Sequence, residues 1–171
     1  MEITEEHVEF LKNVLIDHVP YARAIGMEVI NANVGKIWLK VPYQDKLVGD
    51  PDTGVLHGGV ITSVLDNAGG IAVQLSMPQR EAIATLDLRI DYMRAATPKL
   101  DLMAHAHCYK LTRNIAFVRG SAYDEDPDDP IATFVATFMR GANRSTPIGG
   151  EKSDIEKMTK QILREVRGKK D

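Results

Sequence analysis

The stretch GVLHGGVITSVLDNAGGIAV, Gly54 to Val73, decides the reading of this chain. Val60, Ile61, Val64, Leu65, Ala68, Ile71, Ala72, Val73 and Leu75 cover most of a helical wheel. The spacing predicts a helix from about Gly58 to Met77, stopped by Pro78. A helix apolar nearly all round is enclosed by other elements rather than lying on a surface. One carboxylate, Asp66, sits within it, and a charge among apolar neighbours is costly unless something pairs or uses it. The helix opens on His57, Gly58 and Gly59. The first N–H groups of a helix lack partners within it, so this step can hold a developing negative charge. A carboxylate and an oxyanion-type donor are two parts of an acyl-transfer site. Gly69 and Gly70 weaken the helix, and close approach of a neighbouring backbone would explain them.

Working outward, Thr4 caps a first helix over 4–19, carried by Val8, Leu11, Val14, Leu15 and Val19 and ended by Pro20. Ile37, Leu39 and Val41 alternate with Lys36, Trp38 and Lys40, the pattern of a half-buried strand, with Asn33 to Gly35 as the turn behind it. Lys46 to Thr53, with Gly49, Asp50, Pro51 and Asp52, is a loop. After the central helix come four strands. In the first, Ala84, Leu86, Leu88 and Ile90 alternate inward against Thr85, Asp87, Arg89 and Asp91. The others run over about Leu100 to Leu111, Ile115 to Tyr123 and Ile131 to Met139, and are expected to be antiparallel neighbours joined by short turns. Ser145 to Gly150 is a linker, and Ser153 with Glu156 opens a terminal helix over 153–168.

The 171 residues suit one domain over 1–171, long enough to bury a core without staples. A net charge of −3 argues against a nucleic-acid partner. The one cysteine, Cys108, excludes an intrachain disulfide framework and fits a reducing interior. The acidic N-terminus resembles no signal peptide, and no apolar run is long enough to span a membrane, so the expected location is cytoplasmic. Two strands, one helix and four more strands give an α+β fold: a curved antiparallel sheet around a long central helix, with extra N- and C-terminal helices. One sheet cannot cover every side of a helix, so a second copy is expected to close it.

On GVLHGGVITSVLDNA and this order of elements, the chain resembles the hotdog-fold thioesterases, in particular the phenylacetate-pathway-like acyl-CoA thioesterases. The resemblance covers roughly Ile25 to Met139, within a core of about 25–142. It implies hydrolysis of an acyl-CoA thioester without a cofactor or metal. By the same resemblance Asp66 is general base or nucleophile, and the Gly58 N–H is the oxyanion donor. His57 orders the turn and Thr85 assists near the water. Asp50 stands where the family commonly has an asparagine; an ionised aspartate can only accept hydrogen bonds. Strict alternation puts Thr85 on the polar face with Asp87, so only a twist or bulge would bring it to the site. Gly59 and Asn67, beside the two principal residues, and Arg94 and Arg113, near strand ends, are candidate substrate-binding residues; Arg119 is a further cation.

Gly58 and Asp66 are eight residues apart, so about 12 Å along one helix. A base and an oxyanion donor must both lie within about 3 Å of the reacting group. Two helices related by a two-fold axis satisfy both, which predicts a homodimer or a homotetramer built as a dimer of dimers. His105 and His107 share one strand face, but no third metal ligand is evident. Cys108 points the other way, into the core. The alternative from another class is a non-catalytic acyl-CoA-binding or sensing module. A dehydratase on the same fold would need a different loop motif.

Overall fold

The computed structural model describes residue 12 and residues 15–141. Most of the helix expected over 4–19, the linker 145–150 and the helix expected over 153–168 lie outside the described residues. Leu15 is helical and the chain turns at Ile16, several residues before the expected stop. Pro20 then opens a short helix, α1 (Pro20–Ala24), instead of merely ending the previous one. Its fixed φ and missing N–H suit the first helical turn.

A six-stranded sheet follows in the order β1-β2-β6-β7-β8-β5. Its strands are β1 (Glu28–Asn33), β2 (Lys36–Val41), β5 (Ile83–Tyr92), β6 (Leu102–Leu111), β7 (Ile115–Tyr123) and β8 (Ala132–Arg140). Every pairing is antiparallel. Gly35, at φ +70°, makes the tight turn between β1 and β2. The segment expected to be a loop after β2 contains a 3-10 turn (Asp45–Leu47) and a small ladder of β3 (Val48–Asp50) with β4 (Val55–Leu56). One expectation about neighbours fails. β5 does not pair with β6, the next strand in the chain, but with β8. The connection from residue 93 to 101 carries the chain away, and β5 becomes an edge of the sheet.

The central helix α2 (Gly58–Ser76) lies across the sheet, chiefly over β6, with β2 and β7 beside it. Its end before Pro78 is as expected. Val64, Leu65, Ala68, Ala72 and Val73 are wholly buried, facing Ala104 and Ala106 of β6 and Val118 of β7 in one core. Cys108 belongs to that core, and burial pushes its thiol pKa up. The helix is not enclosed on every side, however. Thr62, Ser63, Asp66, Asn67 and Gly70 form a stripe at helical spacing that the rest of the chain leaves partly open. The mostly small and polar character of that stripe was hidden by the number of apolar residues around it.

Candidate active site

His57 caps α2 in extended backbone (φ −64°, ψ 132°), and its Nδ1 accepts the Gly59 N–H at 2.9 Å. That bond puts the imidazole proton on Nε2. The Gly59 N–H is thereby engaged by His57. The open donor of the Gly58–Gly59 step is the Gly58 N–H, which has no acceptor among the described residues. The Gly58 carbonyl is anchored on the other side: it accepts from the Tyr92 hydroxyl at 2.9 Å and from Thr62 Oγ1 at 3.2 Å. Tyr92 and Thr62 also share a hydrogen bond at 3.0 Å.

Two turns along, Asp66 Oδ1 accepts a hydrogen bond from Thr85 Oγ1 at 2.9 Å. The sequence placed Thr85 outward, and the pairing of β5 with β8 explains why it is not. The register slips between Thr85 and Asp87, a β-bulge. Before the slip Ile83 and Thr85 face the helix; after it Leu88, Ile90 and Tyr92 do. Leu86, read from alternation as a core residue, is instead 54% exposed. Tyr92, which the sequence reading missed, continues the Leu88 and Ile90 face beyond the bulge and so reaches the N-terminus of α2.

Asp66 stands at a cleft of about 220 Å³ lined by Thr85, Gly70, Ile71, Ile83 and Phe138, among others. Asn67 and Arg80 also line it. The Asn67 side-chain amide donates back to the Ser63 carbonyl at 2.9 Å. The arrangement is a carboxylate with one oxygen held by a hydroxyl, in a trough whose apolar wall is Leu15, Ile71, Ile83 and Phe138 and whose remaining lining is mostly polar, on a helix with an open N-terminal N–H. Such a trough suits an apolar tail, and the carboxylate suits activation of water.

A family model described as the thioesterase superfamily matches residues 53–131. A crystal structure of a Pseudomonas aeruginosa protein is 40% identical, covers 78% of this chain and 95% of its own, and superposes with a TM-score of 0.67. Over residues 53–131 this chain is therefore similar to the thioesterase superfamily. It has the hotdog fold. The medium/long-chain acyl-CoA thioesterase YigI of Escherichia coli K12 is 29% identical over 150 residues, 80% of this chain and 96% of that one. A Halobacterium salinarum protein named as a candidate esterase is 39% identical over 85 residues, 48% of this chain; the match spans about half, 55%, of that protein's length.

The remaining site expectations divide sharply. Arg94, expected as a substrate cation, is held within the chain's own acidic turn and is not a lining residue of the Asp66 cleft. It makes a bidentate pair with Asp124 at 2.9 and 2.6 Å, adds Asp129 Oδ2 at 3.0 Å, and donates to the carbonyls of Ala95 and Asp129. The Arg94 guanidinium holds the Asp124 carboxyl well below the usual carboxylate range. The pair closes the acidic turn before β8. Asp50 is also occupied locally: Thr53 Oγ1 and the Asp52 N–H donate to it, and these bonds lower its pKa. It is not among the residues lining the Asp66 cleft. Arg113 is exposed in the β6–β7 turn, and Arg119 lies over the Tyr109 ring at 5.3 Å; neither lines the cleft. Arg80, which does, carried no signal beyond its place after a helix-ending proline. Among the described residues no three potential ligands gather for a metal, and no helix is long and apolar enough to cross a membrane.

Proposed function

We propose that this chain hydrolyses acyl-CoA thioesters to a free acid and CoA, in a site shared by two copies. The observation that carries this reading is Asp66, held by Thr85 at a cleft with an apolar wall of Ile71, Ile83 and Phe138, on a helix whose Gly58 N–H is open among the described residues. The YigI relative, named an acyl-CoA thioesterase, supports CoA as the carrier.

The thioester oxygen sits on the Gly58 N–H, at the positive end of α2. Asp66 takes a proton from water, the resulting hydroxide adds to the carbonyl carbon, and the oxyanion is held by that N–H. Collapse breaks the C–S bond, and the thiolate leaves and is protonated. The other route has Asp66 attack directly, forming a mixed anhydride that water then opens. After a single turnover in labelled water, label in Asp66 identifies the second route with water opening the anhydride at the Asp66 carbonyl, and trapping of the anhydride by hydroxylamine identifies it when water opens the acyl carbonyl. Thr85, by holding Oδ1, leaves Oδ2 for either role.

One helix cannot serve both ends of the reaction, since Gly58 and Asp66 are about 12 Å apart along it. The partly open stripe of α2 lies beside β5, an edge strand whose exposed Leu86 and Tyr92 are half in solvent. A second copy packed there two-fold would set its Gly58 opposite this chain's Asp66. Such dimers can pair again as a tetramer. Asn67 lines the cleft, and Gly59, next to Gly58, borders the other end of the shared site.

The test is thiol release from a panel of acyl-CoAs by wild type and Asp66→Asn. Turnover that collapses in the variant supports the reading. No turnover by wild type on any thioester overturns it, and equal turnover by both overturns the role of Asp66.

A further inference from the structure

Adjacent glycines in α2 have different explanations. At Gly69 a Cβ would meet Phe138 Cζ at 3.0 Å and Cε2 at 3.1 Å, so the buried ring needs a glycine beneath it. At Gly70 a Cβ would meet only Ile83 Cδ1 at 3.6 Å and Phe138 Cε1 at 3.8 Å, ordinary contact distances. Gly70 is helical, with no left-handed backbone to require it. Alanine would be the better helix former. Packing among the described residues therefore leaves Gly70 without a reason.

Its position supplies one. Gly70 is one turn beyond Asp66 on the same stripe, and it lines the cleft that Asp66 shares with Ile83 and Phe138. A tail attached to a carbonyl beside Asp66 and running toward the end of α2 passes over it. One turn further, Gln74 also lines the cleft, and its side-chain amide is tied to the Glu81 carbonyl at 2.8 Å. A methyl at 70 would project into the path without disturbing the walls.

We propose that Gly70, facing Ile83 and Phe138, sets the length of acyl chain this site accepts. The proposal rests on the acyl-CoA reading, and its test separates the two. The probes are S-alkyl-CoA thioethers from ethyl to dodecyl, with affinity measured by calorimetry. Hydrolysis of the matching acyl-CoAs and the oligomeric mass are followed in parallel. Wild-type affinity is expected to rise about fourfold per methylene until the cleft is full. Gly70→Ala lowers the dodecyl-to-butyl affinity ratio by about tenfold. Gly70→Val lowers it further, and Ile83→Ala shifts it the opposite way. A ratio unchanged in the Gly70 variants, or affinity lowered equally at every length, overturns the proposal. A flat profile with altered oligomeric mass also does, because the glycine then serves the approach of a second copy. Length-dependent thioether binding without hydrolysis overturns the hydrolase reading and leaves Gly70's role standing. No binding of any thioether overturns both.

Discussion

The two faces of α2 obey different rules. On the buried face Val64, Leu65 and Ala68 are fully enclosed, and even Gly69 is fixed by a ring against it. On the partly open face Gly58 has an uncommitted N–H, Asp66 has one fixed oxygen, and Gly70 has room to spare. The first face answers to packing and the second to a molecule the chain alone does not contain. One helix thus holds the fold with one side and presents chemistry with the other. The two glycines, adjacent in sequence, mark the boundary.

The largest break of this comparison is Asp66→Asn. It keeps the shape and removes the base, so kcat should fall by about 100- to 10,000-fold. Thermal unfolding should stay near wild type; a large drop in Tm would mean that Asp66 belongs to the structural face. Thr85→Ala removes a hydrogen bond to a carboxylate and should lower kcat/KM by about tenfold. Thr85→Ser restores it, and a serine variant as poor as alanine would contradict a positioning role for the hydroxyl.

The glycine pair sharpens the contrast further, with opposite signs. Gly69→Ala overpacks against Phe138, and after the helix-propensity gain it should destabilise by about 1 kcal/mol. Gly70→Ala should stabilise by about 0.5–1 kcal/mol. Denaturant midpoints measured side by side check both. The smallest effect lies on the sheet face turned away from α2. His105 stacks on Trp38 at 4.6 Å, and its Nε2 is buried without a hydrogen-bond partner among the described residues. Burial, then the charges of Lys36 and His107, lower its pKa. The folded state therefore binds this proton less readily than the unfolded chain. The associated stability is present above the ordinary value of about 6.5 and is lost as pH falls below it. His105→Phe should flatten that acid slope in urea titrations at stepped pH; an unchanged slope would assign it to other groups.

Much of this was legible in the sequence because it is local. The bounds of α2, its histidine cap, the turn at Gly35 and the span Ile115 to Tyr123 follow from period, caps and punctuation. So does Asp66, whose charge stands out on an apolar wheel. What was illegible depends on pairing over distance. The β-bulge between Thr85 and Asp87 has no glycine or proline to announce it, yet it reverses the inward face of β5. It turned Leu86 outward and brought Thr85 to α2. The edge position of β5 is set by its pairing with β8, more than forty residues later. Arg94 likewise could not be told from an available cation, because its partner Asp124 is thirty residues away.

The central claim is that the open faces of two helices combine into one site, and complementation between variants tests it most directly. Gly58→Pro is a clean partner for Asp66→Asn. Gly58 is the first helical residue, where proline is welcome, and His57 before it is already extended. The substitution removes the N–H alone and should cost about 100- to 1,000-fold in kcat. Each variant is then nearly inactive by itself. In a mixed dimer one site keeps both Gly58 and Asp66 intact, so subunit exchange should restore about a quarter of wild-type turnover. Mixed species that form and remain inactive would contradict the shared site and confine the chemistry to a single chain.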